Sequence, residues 1–180
     1  NNLINELLDC LCFLNNDKDT KIMILTGSGK SFISGADITS FKNESYKDYL
    51  KNDSNIFDKI SVFYSVINKP LIAAVNGYCL GGGLEIALCC DLIYCSEKAT
   101  LGFPEIKLGL FPGGAGSQKL PKLLGIIKAN EYILTGKNID LKEAKNRGLI
   151  NDIIKHEELL SHVENIANDM CKYDITALIS

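Results

Sequence analysis

LIAAVNGYCLGGGLEIALCCDLIYC, Leu71 to Cys95, sets the fold class. Leu71 to Val75 is wholly apolar and reads as a strand covered on both faces. Asn76-Gly77-Tyr78-Cys79-Leu80 leads into three glycines, and after Gly83 the pattern LEIALCC is helical, which places Cys89 and Cys90 within a helix. Asp91 to Cys95 returns to strand. Glycines at the start of a helix let a ligand approach the backbone, because no Cβ intervenes. The unpaired amides of the first turn then favour an anion or a developing oxyanion.

Strand and helix alternate on either side of this stretch. Leu3, Leu7, Leu8, Leu11 and Leu14 recur at spacings of three and four, so 2–15 reads as an amphipathic helix. Ile22 to Leu25 reads as a buried strand and Phe32-Ile33 as a short one. Residues 42–55 are polar and weakly periodic, and Phe57, Ile60, Phe63, Tyr64 and Ile67 mark a helix ended by Asn68-Lys69-Pro70. Thr100 to Phe103 reads as a short strand piece. Helices follow at 116–124, 126–134 and 140–147, then a strand near Ile150 to Ile154 and a helix over 156–171. The pattern is that of an α/β fold with crossover connections.

TGSGKS, Thr26 to Ser31, has the ending of a nucleotide-binding loop. That loop requires a glycine five residues before Gly29 and a helix after Lys-Ser. Ile24 holds the first position, and Phe32-Ile33-Ser34-Gly35-Ala36 is poor helix, so a P-loop nucleotide hydrolase is excluded.

The 180 residues are enough for one domain, and 46% hydrophobic with 23% charged residues is ordinary for a globular protein. A formal charge of -3 without a basic block argues against nucleic-acid binding. No apolar run approaches the ~20 residues of a membrane span, and no targeting signal is visible. Seven cysteines without a Cys-x-x-Cys pair read as buried free thiols in a reducing intracellular compartment. His156 and His162 have no partner at ligand spacing and read as solvated helix residues; no metal site is expected.

Two further glycine-bearing segments follow strands: SGADI, 34–38, and LGFPEIKLGLFPGGAGSQKLP, 101–121. Two carboxylates lie beside the glycine segments, Glu85 in the first turn of the glycine-started helix and Glu105 after Pro104. Each also has a purely structural reading. A helix N-terminus favours Glu85 by about 0.3–1 kcal/mol, and Glu105 fits a surface loop.

Together SGADI, NGYCLGGGLEIALCCD and FPEIKLGLFPGGAGSQKLP closely resemble the crotonase family, the enoyl-CoA hydratases and isomerases. The resemblance implies an α/β crotonase-like spiral of repeated ββα units, with 1–180 as a single core domain. Relative to the family's usual length, the two N-terminal strands and the C-terminal helical trimerisation region are expected to be missing. It implies an oxyanion hole made by the backbone N–H groups of Ala36 and Gly82, with Glu85 and Glu105 as the catalytic pair around one water. Gly113 would help to place that water. The acyl-CoA substrate would run along Ser34, Ala36, Asp37, Ile38 and Thr39, where Thr39 replaces a lysine common in hydratases. Ser117 replaces the commoner threonine. No cofactor is implied, coenzyme A being part of the substrate. The paired glutamates point to syn addition of water across the 2,3 double bond of a trans-2-enoyl-CoA, giving 3-hydroxyacyl-CoA. The alternatives are a Δ3,Δ2-enoyl-CoA isomerase or another crotonase reaction, and a non-catalytic fragment that binds coenzyme A or a partner. The family further implies a homotrimer or hexamer in the mitochondrial matrix or cytoplasm.

Overall fold

The structure, a computed structural model, describes residues 2–35 and 66–179. Ala36, Asp37, Ile38, Thr39, the polar stretch 42–55 and most of the helix expected over 57–67 lie outside the described residues. The helix α1 spans Asn2–Asn16. Strands β1 (Met23–Thr26), β3 (Leu71–Val75), β5 (Leu92–Ser96) and β8 (Asp152–Ile154) form one parallel sheet in the order β1-β3-β5-β8. A second sheet runs β2-β4-β6-β7, from Ser31–Ile33, Tyr78–Leu80, Thr100–Gly102 and Asn138–Ile139. Its first three strands are parallel and β7 is antiparallel.

Three times the chain lays a strand in the first sheet, turns a short corner and lays the next strand in the second. The corners are tight. A Cβ on Gly77 would lie 2.0 Å from the Lys30 carbonyl oxygen, and one on Gly27 would lie 1.9 Å from that of Ser31. Asn76 ties two corners together: its Oδ1 accepts from the Gly27 amide at 3.2 Å and its Nδ2 donates to the Gly29 carbonyl at 3.0 Å. Thr26–Ser31 is thus a corner between sheets, with Gly27 set by close packing and Gly29 by a left-handed backbone at φ 70°.

The five residues of β3 are all buried, and their alternation divides them between two cores. Leu71, Ala73 and Val75 join the larger one with Leu8 and Leu11 of α1, Leu84, Ile93 and Leu101. Ile72 and Ala74 face the other way, against Leu159, Val163 and Ala167 of the helix Leu159–Met170. By contrast β1 is an edge strand among the described residues, with Ile24 and Leu25 half-buried and Thr26 exposed, although its apolar run reads as fully buried. The end of α1 is fastened to the segment before β3: Lys69 donates to the Leu14 carbonyl at 3.0 Å, and Asn15 Oδ1 accepts from the amides of Asn68 and Lys69. A cation at the carbonyl end of a helix is favourable.

Several expectations need correction. The helix after the glycines, α2, covers Gly82–Ala87, so Cys89 and Cys90 lie beyond it. Their amides bond back to the Ile86 and Ala87 carbonyls, a tighter i→i+3 turn that brings Asp91 to the start of β5, where its carboxylate accepts from the Leu71 amide at 2.8 Å. Cys79, Cys90 and Cys95 are buried free thiols, but Cys10 is exposed. His156 and His162 are half-buried rather than solvated. His156 Nδ1 bonds the buried Ser96 hydroxyl at 3.0 Å, and His162 meets the Tyr94 ring edge-on at 5.4 Å. The stretch expected as one helix over 156–171 begins as a 3-10 turn, His156–Glu158.

Ile72 is fully buried between β3 and the Leu159–Met170 helix. Truncation to alanine there should cost about 2–5 kcal/mol through lost burial and a residual cavity. Urea unfolding of Ile72→Ala should show a lower midpoint of that size with an unchanged slope; a loss under about 1 kcal/mol would contradict the two-core packing.

Candidate active site

Parallel pairing of β2, β4 and β6 puts their C-terminal ends side by side. The three glycine-bearing segments leave from those ends: Ser34-Gly35 after β2, Gly81-Gly82-Gly83 after β4, and Phe103-Pro104-Glu105 after β6. Ligands of parallel sheets commonly bind just outside carboxyl ends of strands. Among the described residues the segments also touch. Gly81 N–H donates to the Gly102 carbonyl at 2.9 Å, and a Cβ on Gly35 would lie 3.3 Å from the Leu80 carbonyl oxygen.

Gly81, at φ 55° and ψ -127°, turns the chain into α2, and Gly82 is the first helical residue. The Gly82 amide has no acceptor among the described residues. Among the described residues, a Cβ on Gly82 would meet nothing within 4 Å. Ala36, the other expected amide donor, lies outside the described residues, as do Asp37, Ile38 and Thr39; Ser34 is exposed at the exit of β2.

Glu85 lies in the first turn of α2 and is 4% exposed. Its Oε1 accepts a 2.8 Å hydrogen bond from the amide of Gly116, the residue that opens the helix α3, Gly116–Leu124. A side chain at 116 is not accommodated: its Cβ would lie 2.7 Å from the Phe103 ring and 3.0 Å from Glu85 Oε1. Sequence reasoning missed this anchor. Gly116 carries the same signal as Gly82, a glycine at a helix start, but its partner 31 residues away is visible only in three dimensions.

Glu105 lies in a 3-10 turn, Pro104–Leu108, rather than in an open loop. Its carboxyl faces the glycine turn, with Oε1 2.9 Å from where a Cβ on Gly81 would stand. The other oxygen, Oε2, is buried and has no hydrogen-bond partner among the described residues. Burial lifts the Glu105 pKa from 4.5 to about 7. A backbone hydrogen bond opposes the rise, and the Glu85 carboxylate adds to it. The two carboxyl groups therefore sense each other electrostatically across the glycine turn, one anchored by an amide and the other holding a proton near neutrality. Gly113 lies in the turn just before α3.

Such a pair can exchange protons with a neutral ligand, and the Gly82 amide can stabilise negative charge beside it. The thiols are poor candidates for this chemistry: burial raises Cys79 and Cys90 well above the usual range and pushes Cys95 up to about 12. Among the described residues, no group of three or more His, Cys, Asp or Glu side chains could hold a metal ion, and no helix is long and apolar enough to cross a membrane.

A probable mitochondrial enoyl-CoA hydratase of Dictyostelium discoideum is 41% identical over 173 residues, 95% of this chain and 61% of the relative. A crotonyl-CoA hydratase of Syntrophomonas wolfei is 40% identical over 163 residues, 90% of this chain and 62% of the relative. The chain thus spans 61% and 62% of the lengths of these curated relatives. The crystal structure of an enoyl-CoA hydratase from Bacillus anthracis matches with a TM-score of 0.89 at 34% identity, over 98% of this chain and 68% of that one. Since the family of enoyl-CoA hydratases and isomerases matches residues 1–179, and solved members share the two-sheet spiral, the chain belongs to the enoyl-CoA hydratase/isomerase family.

Proposed function

We propose that the protein hydrates trans-2-enoyl-CoA thioesters, with Glu85 and Glu105 as the acid–base pair. The observation that carries this reading is the unlike setting of the two carboxyls, Glu85 held by the Gly116 amide and Glu105 raised to about 7. A carboxyl that keeps its proton near neutrality is suited to act as the acid of such a pair. In this reading the thioester carbonyl lies against the amides of Gly82 and Ala36, with the coenzyme along Ser34, Asp37, Ile38 and Thr39. Glu85 accepts a proton from water as its oxygen bonds to C3. The electron pair of the double bond moves toward the carbonyl oxygen, where the amides stabilise the enolate. Glu105 delivers its proton to C2, and the product is a 3-hydroxyacyl-CoA. Gly113 would help to place the water. The buried Oε2 of Glu105, without a partner among the described residues, suits a group that gains its partner from the ligand. The chemistry draws only on substrate, water and protein groups. The curated relatives with hydratase names support the assignment.

Loss of the conjugated-thioester absorbance of crotonyl-CoA measures the reaction. Glu85→Gln and Glu105→Gln should each lower kcat by about 10²–10⁴-fold while remaining folded. Equal turnover by either variant would defeat the paired mechanism.

Hydration requires Glu105 in its protonated form, so kcat should fall as pH rises through about 7. Dehydration passes back through the same singly protonated pair, with the proton on Glu85, so it should fall over the same range.

A stability test follows from the same group. Its folded pKa lies above the unfolded value of 4.5, so the native state binds more protons between 4.5 and about 7 and loses stability as pH rises through that window. Neutral glutamine escapes that loss. The thermal midpoint of Glu105→Gln relative to wild type should therefore climb between about pH 5 and about pH 8; a constant difference would contradict the raised pKa.

A further inference from the structure

The helix α2 has six residues, too few to be stable on its own hydrogen bonds, yet it begins at Gly82 and carries Glu85. Most of its last carbonyls are satisfied from within the segment. Leu84 O accepts from the Leu88 amide at 2.9 Å, Glu85 O from Cys89 Sγ at 3.1 Å, Ile86 O from the Cys89 amide at 2.9 Å and Ala87 O from the Cys90 amide at 3.0 Å. The carbonyl of Leu88, the residue that caps the helix, instead takes the ammonium of Lys119 from α3. No basic residue stands in the last turn of α2 itself, so Lys119 supplies the cation that the negative end of the helix lacks.

Lys119 is three residues after Gly116, on the same side of α3. One turn of α3 therefore grips α2 at both ends: the Gly116 amide on the carboxylate in the first turn, the Lys119 ammonium on the cap carbonyl. Lys119 is half-buried. Burial lowers its pKa from 10.5, while Cys89, Cys90 and Asp91 act in the opposite direction.

We propose that Lys119 is a positioning residue, which locks α2 onto α3 through the Leu88 carbonyl and so keeps Glu85 and the Gly82 amide aligned with Glu105. Its catalytic consequence rests on the hydratase reading; its structural consequence, the protection of the Gly116 amide, does not. Lys119→Met removes the donor and the charge but keeps most of the apolar stem. Misplacing a catalytic group by a fraction of an ångström to 1 Å costs up to about 10²-fold, so kcat for crotonyl-CoA should fall by about 10- to 100-fold. KM should stay within about twofold, because the lost contact acts on alignment rather than on uniform binding.

Amide hydrogen exchange followed residue by residue supplies the independent readout. In Lys119→Met the Gly116 amide should exchange at least about tenfold faster while Val163, in the other core, keeps its wild-type rate. Lys119→Arg, with charge and donors retained, should recover most of both properties. Lys122→Met, the same charge change on the exposed side of α3, should match wild type. Wild-type Gly116 protection in folded Lys119→Met would overturn the proposal, as would wild-type kcat in that variant if wild type turns over crotonyl-CoA. An inactive wild type would instead count against the hydratase reading, and the exchange rates would still decide the role of Lys119. Should Lys119→Met not fold, Lys119→Gln, whose shorter side chain falls short of the Leu88 carbonyl, is read by the same criteria.

Discussion

Because β2, β4 and β6 run parallel in one sheet, three chain exits that are far apart in sequence open side by side. The first two exits are glycine-bearing turns and the third is led by a proline, and each brings a different group: Ser34-Gly35 after β2, the Gly82 amide and Glu85 after β4, and Glu105 after β6. The antiparallel β7 closes the far edge of that sheet without adding to this group. The first sheet acts as the spacer. Its central strand β3 is buried on both faces and joins two cores, so that neighbouring turns of the spiral cannot shift independently.

Within the site, the different settings of the two glutamates arise from backbone geometry. Glu85 projects from the first turn of one helix toward the opening amide of another, where partial positive charge is concentrated. Glu105 is held by a proline-led 3-10 turn over Gly81, where burial leaves one carboxyl oxygen without a donor among the described residues. The absence of a Cβ at Gly116 is what permits the first arrangement, since the Phe103 ring and the Glu85 carboxylate already occupy that space. A single methyl group there would press on both carboxyl-bearing segments at once.

Much of this was legible in residue order. The unbroken LIAAV run identified a doubly covered strand, and glycines before LEIALCC identified a helix start. The glycine segments together carried the family resemblance. Short pieces were not legible: Tyr78–Leu80 and Asn138–Ile139 have too few residues to show a period, and pairing within the sheet defines them. Nor could four apolar residues reveal that β1 is an edge strand, which depends on what lies beside it. The Gly116 anchor and the Lys119 grip are contacts across 31 residues, beyond the reach of local pattern.

The central claim is that Glu105 carries a proton near neutrality beside an amide-held Glu85. Carboxyl ¹³C NMR titration of glutamate-labelled protein tests it directly. One side-chain carboxyl should titrate at about 7 and vanish from the spectrum of Glu105→Gln. If the Glu105 signal instead titrates below about 5, in the ordinary glutamate range, the separation of acid and base roles proposed for the pair is wrong.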